Sequence, residues 1–206
     1  MTRLILVPVG QTDWRENGRL TGDTDLPLNE TGQRQILADA DAIAALKPSL
    51  LRSGPEQAAR ESVRILADRL DLKAKPVKEL REMDLGHWEG LTLDDFRERF
   101  PRVYKQWQSD PTSVEPPEGE SVMQAADRLT AGLEKLLADH AGETVVVVLG
   151  HFAYAILRCR LQDASFESFW EYVEGNDRWR QIELPEPLPE KKASATGRRK
   201  SGKKAT

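Results

Sequence analysis

Residues 145–151 read Val-Val-Val-Val-Leu-Gly-His, and this stretch decides the fold. Five consecutive apolar residues, four of them β-branched, suit a strand covered on both faces, as in the centre of a parallel sheet. Gly150 ends it and His151 follows directly. In open α/β sheets, ligands bind beyond the carboxyl ends of the strands, so a histidine at that point is placed for a cleft rather than for packing. A second run of the same kind, Leu4-Ile5-Leu6-Val7, opens the chain and stops at Pro8 and Gly10.

Between and after these runs the apolar spacing is helical. Asn29-Glu30-Thr31-Gly32 starts a helix with Ile36, Ala40, Ile43 and Ala44 on one stripe, ending before Pro48. A short apolar segment at Leu50-Leu51 turns at Ser53-Gly54-Pro55 into a helix with Ala59, Val63, Leu66 and Leu70 on one face. Pro76 to Leu80 reads as a further strand, and Leu93 to Trp107 as one amphipathic helix. Asp110 to Gly119 reads as a Pro-rich loop, and Ser121 to Asp139 and residues 152 to 161 as helices. Strands alternating with helices predict a three-layer α/β/α sandwich with a mostly parallel central sheet. Glu82, just past a predicted strand, joins His151 as a candidate site residue.

Composition bounds the rest. The 206 residues, 39% hydrophobic and 31% charged, fit one ordinary domain. No run approaches the ~18–20 apolar residues of a membrane-spanning helix. Residues 1–10 hold too short an apolar stretch for a secretory signal, so the expected location is cytoplasmic, with no membrane partner. One cysteine, Cys159, and three histidines give no metal-ligand cluster; neither a metal nor another cofactor is expected. Cys159 reads as a small buried hydrophobe. Seven Lys and Arg after Pro189 leave 23 bases against 34 acids in residues 1–190, a net of −11. Residues 1–184 are therefore expected to form the domain, and residues 185–206 a Pro-punctuated linker with a disordered basic tail. That tail is the one feature suited to nucleic acid, and a solvated end explains it as well.

From Arg3 to Leu184 the chain resembles the histidine phosphatase superfamily, the phosphoglycerate-mutase-like proteins. Gly10-Gln11-Thr12-Asp13-Trp14, Gly18-Arg19-Leu20-Thr21-Gly22, Asp25-Leu26-Pro27-Leu28 and Thr31-Gly32-Gln33 resemble the segment that follows the family's Arg-His-Gly triplet. Glu82 with Gly86-His87-Trp88-Glu89-Gly90-Leu91-Thr92 resembles the segment carrying its acid. Pro116-Pro117-Glu118-Gly119-Glu120-Ser121 resembles its Glu-Ser loop, and Val145 to His151 its second histidine motif. The resemblance implies phosphoryl transfer through a phosphohistidine: one His attacks phosphorus, two Arg and a second His hold the oxygens, and an acid protonates the leaving group.

The residues depart from that pattern at the reacting centre. Pro8 stands at the first Arg, Val9 at the nucleophilic His, and Ala58 in Ser53-Gly54-Pro55-Glu56-Gln57-Ala58 at the second Arg. Valine cannot form a phosphoramidate, and neither Pro nor Ala supplies a cation. Losing a nucleophile costs about 10⁶ in turnover and losing a phosphate-clamping Arg about 10³–10⁵. Glu82 and His151 are retained, and Phe152 replaces a usual Gly, which is expected to narrow the cleft. Gly10, Thr12, Arg15, Thr21 and Gly22 are the expected substrate-binding positions, with Arg15 where the family usually has Asn. Arg60, about 200° round the helix from Ala58, is expected to point away. His87 and His140 are expected to carry no chemistry, and Trp107, Trp170, Trp179, Phe166 and Phe169 to seal the core or an oligomer contact. Two readings stay open. One is a non-catalytic pseudophosphatase that binds a phosphorylated or other anionic small molecule, or a protein partner. The other is a hydrolase with a reworked site built on His151, Glu82 and Arg15.

Overall fold

Five strands make one mixed sheet: β1 (Thr2–Pro8), β2 (Leu50–Ser53), β3 (Ala74–Pro76), β4 (Thr144–Leu149) and β5 (Arg180–Leu184), in the order β3-β2-β4-β1-β5. The computed structural model describes residues 1–163, 165–175 and 178–185. β1 and β2 flank β4 in parallel, β3 extends β2 in parallel, and β5 runs antiparallel along β1. The registers Leu4↔Val145 and Val7↔Val148 bring the ends of β1 and β4 level, so Val9 and His151 emerge at the same edge.

Both faces of the sheet are covered, and the alternation of side chains shows how. Ile5, Val7, Val146 and Val148 point into a core with Ile36, Ala40 and Ile43 of α2 (Glu30–Ala45) and Ala59, Val63 and Leu66 of α3 (Gln57–Leu70). Leu4, Leu6, Val145, Val147 and Leu149 point the other way, toward α6 (Val122–Ala138) and α7 (His151–Arg158). Every residue from Val145 to Leu149 is 0% exposed, and such burial contributes about 1.5–3 kcal/mol per large apolar side chain. The expected α/β/α sandwich is present. Side-chain caps set the helix starts: Asn29 accepts the Gly32 N–H at 2.8 Å, and Ser121 with Gln124 forms a capping box. Short α1 (Asp13–Glu16) sits between β1 and α2.

Several expected elements differ. Only Ala74–Pro76 pairs with β2; the Val77 N–H still reaches the Ser53 carbonyl at 2.9 Å, but β2 ends there and Lys78–Leu80 folds into a 3-10 turn. The stretch 93–107 is two helices, α4 (Leu93–Arg99) and α5 (Pro101–Ser109). Pro101 disfavours helical geometry at Phe100, whose φ is −129°, and then starts a new helix at its first position. The helix expected over 152–161 begins at His151, and Cys159–Asp163 forms a π-helical turn after it. β5 and α8 (Phe169–Glu174) were not anticipated from the apolar pattern. Cys159 is buried. Among the described residues no helix is long and apolar enough to cross a membrane. The expected tail, residues 186–206, lies outside the described residues.

Candidate active site

At the carboxyl edge of the sheet the ends of β1, β2 and β4 border a cavity of about 230 Å³. Val9 comes from β1, Glu56 and Ala58 from the turn into α3, and Gly150 and His151 from the β4–α7 junction. Glu82 enters from the loop after the 3-10 turn; Trp170, Val173 and Glu174 of α8 close the far side. Thr12, Arg15, Thr21 and Gly22 also line it, so the expected site residues converge with two exceptions. Pro8 and Gly10 face a neighbouring cavity of about 550 Å³ that shares Val9, Arg15 and His151 with the first. Gly10 is fixed by packing: a Cβ there would lie 2.4 Å from the Gly32 carbonyl oxygen, so β1 can approach α2 this closely only without a side chain.

Glu82 is 4% exposed and its carboxylate is fully engaged. Oε1 accepts the Met83 N–H at 2.7 Å and the Ala153 N–H at 2.6 Å; Oε2 accepts the Phe152 N–H at 2.9 Å. The acid therefore sits on the free amides of the first turn of α7, where the helix end favours negative charge. Gly150 permits this approach, since a Cβ there would lie 2.1 Å from Glu82 Oε2. Burial nevertheless pushes Glu82 up to about 8, with nearby Glu56 adding to the rise and the three amides opposing it.

His151 is half-buried, but its Nε2 is shut away with no hydrogen-bond partner. Burial, then the Arg15 charge, holds it down to about 3, so the imidazole is neutral across the physiological range. The Arg15 guanidinium donates to the Val173 carbonyl. Burial lowers its pKa, against the pull of Glu82 and Glu174. Thr12 is buried and caps α1, accepting the Arg15 N–H at 3.3 Å. Val9 and Ala58, 9% and 7% exposed, give the same cavity only methyl surface.

The sequence reading missed Glu56. Its Oε1 accepts the Glu82 N–H at 2.7 Å, while Oε2 is buried without a partner. Burial raises its pKa. The signal was present: Glu56 follows a strand end, as His151 does. The contributions of α8 had no comparable signal, because that helix was not read. Phe152 forms part of the cavity wall with its ring stacked on Trp107, centroids 6.0 Å apart and 5° between planes. It belongs to an aromatic cluster with Phe169 and Trp170; Trp107 and Phe169 are core residues as expected.

The other candidates lie elsewhere. Arg60 pairs with Asp25 at 3.4 Å, outside the cavity, as its helical position implied. His87 meets Glu118 at 3.1 Å on the surface, and His140 meets Glu143 at 3.1 Å. Asp23, Asp84 and Glu89 form the one cluster among the described residues with metal-like spacing. Several of its oxygens serve the fold: Glu89 accepts the Asp23 and Leu85 N–H groups and the Thr24 hydroxyl, and Asp84 accepts the Gly86 N–H.

Residues 4–192 match the sequence profile of the histidine phosphatase superfamily (branch 1). A bifunctional protein of Mycobacterium tuberculosis is 36% identical over 148 residues, 71% of this chain. The matched stretch spans only 40% of that protein's length. Phosphoserine phosphatase 1 of Hydrogenobacter thermophilus is 26% identical over 186 residues, covering 90% of this chain and 88% of that one. Among solved structures, the mycobacterial glucosyl-3-phosphoglycerate phosphatase superposes with a TM-score of 0.76 at 28% identity, over 87% of this chain and 88% of the other.

Proposed function

The chain belongs to the histidine phosphatase superfamily, and on that premise we propose that it is a pseudophosphatase: its cavity binds a ligand without transferring a phosphoryl group. The observation that carries this reading is that Val9 and Ala58 line the same cavity as Glu82 and His151 with methyl groups where phosphate chemistry needs a nucleophile and cations. The remaining machinery is committed to the fold. Glu82 holds the start of α7, and Arg15 holds α8 through the Val173 carbonyl. The two guanidinium groups that line the cavity, Arg15 and Arg19, each already donate to a backbone carbonyl, of Val173 and Gly90.

A second reading is supported by the pairing of a proton-bearing Glu82, up at about 8, with a neutral His151 at one cavity. A proton-bearing carboxyl suits protonation of a leaving group, and the phosphoserine and glucosyl-3-phosphoglycerate phosphatases it resembles would make a phosphate monoester the substrate. Orthovanadate separates the two readings, because its trigonal form mimics phosphorus in transfer. Titration calorimetry on the full chain is expected to show no vanadate binding tighter than about 1 mM. Low-micromolar binding would overturn the non-catalytic reading.

A further inference from the structure

The cavity wall holds two buried side-chain atoms with no hydrogen-bond partner among the described residues, Glu56 Oε2 and His151 Nε2. Buried polar atoms are paired in the great majority of cases, so an unpaired one points to a group that the chain itself does not provide. A carboxylate oxygen only accepts, and the neutral imidazole accepts at Nε2 in the tautomer that carries its proton on Nδ1. Both atoms therefore call for donors. The charges nearby agree. Arg15 is engaged by the Val173 carbonyl, and Arg19 Nη1 donates to the Gly90 carbonyl at 2.6 Å. Around Glu56 the other charged groups are Glu82, Asp23 and Arg128. Arg128 is occupied by Glu120 and by the carbonyls of Glu79, Arg81 and Glu82. The wall also offers apolar surface, with Ala58, Leu93 and Trp170 among its members.

We propose that this cavity takes an organic cation: an ammonium or guanidinium group, carried on an apolar or aromatic body, whose N–H groups donate to Glu56 Oε2 and His151 Nε2. An ammonium brings three donors and no acceptor, which matches two unpaired acceptors. A phosphate would bring only further acceptors. A volume of about 230 Å³ admits a body of roughly one ring. The inference rests on the non-catalytic reading, in which the site is released from holding phosphate.

The test is calorimetric titration of the full chain with three probes of one shape: benzylammonium, benzyl alcohol and phenyl phosphate. Benzylammonium is expected to bind about tenfold or more tightly than either of the others. Glu56→Gln keeps an acceptor for the Glu82 N–H and is expected to weaken benzylammonium binding about tenfold while leaving the melting transition in place. Equal binding of benzyl alcohol would mean an apolar slot only and would overturn the proposal. So would tighter binding of phenyl phosphate, no benzylammonium binding up to about 10 mM, or an unchanged affinity in a folded Glu56→Gln protein. His151-dependent hydrolysis of phenyl phosphate, followed separately as released phosphate, would sink the non-catalytic reading; the ranking of the other two probes would still decide the proposal.

Discussion

Replacing Glu82 by Gln should invert its effect on stability as the pH rises. The carboxyl is 4% exposed, and its ordinary value of 4.5 is raised to about 8 in the fold. Folding therefore holds the group neutral across a range in which the unfolded chain ionises it. Because the folded value is the higher one, the contribution is complete below about pH 4.5 and is lost as the pH climbs toward 8. At about 1.4 kcal/mol per pH unit the total is about 5 kcal/mol, of which about 2 falls between pH 6.5 and 8. Gln cannot ionise and escapes that loss, but its NH2 must face one of the three amides of Met83, Phe152 and Ala153, a mismatch worth about 1–3 kcal/mol. Urea unfolding of both proteins at a series of pH values isolates Glu82, since most other groups titrate alike in the two. The wild type should be the more stable at pH 4.5, and Glu82→Gln should overtake it between about pH 5.5 and 7. A stability difference that stays constant from pH 4.5 to 8.5 would refute the reasoning.

Other outcomes follow from the same geometry. Gly150→Ala places a Cβ 2.1 Å from Glu82 Oε2, so thermal unfolding should show a loss of about 1–3 kcal/mol, much of which Glu82→Ala should relieve in the double mutant. Arg15→Met removes the cation that helps depress His151; NMR titration should find the imidazole higher than in the wild type yet still below 6.5, because burial is the larger cause. Phe152→Ala removes a ring stacked on Trp107 and should cost about 3–5 kcal/mol by denaturant unfolding.

The layers of this fold were legible because residues 4–7 of β1 and 145–149 of β4 are unbroken apolar runs, as the middle of a covered sheet requires. Pro101 splits a stretch whose helical spacing is otherwise continuous. The strand read as far as Leu80 stops at Pro76 because its partner β2 ends at Ser53. β5 escaped notice because an edge strand is half-wet: only Ile182 and Leu184 of Arg180–Leu184 are buried. Of the site, the strand-end rule found His151 and Glu82, and the resemblance supplied Thr12, Arg15, Thr21 and Gly22. What could not be read was the use of each group. That Glu82 caps α7 and Arg15 ties down Val173 depends on tertiary distances. Likewise the orphaned oxygen of Glu56 reflects who its neighbours are.

The central claim is that the retained residues no longer catalyse phosphate transfer, and hydrolysis of p-nitrophenyl phosphate tests it most directly. Purified full-length chain and His151→Ala should be assayed side by side from mildly acidic to neutral pH. Release of p-nitrophenol that is absent from both, or equal in both, is the predicted result. Turnover by the wild type that disappears in His151→Ala would contradict the account and restore a working phosphatase built on His151 and Glu82.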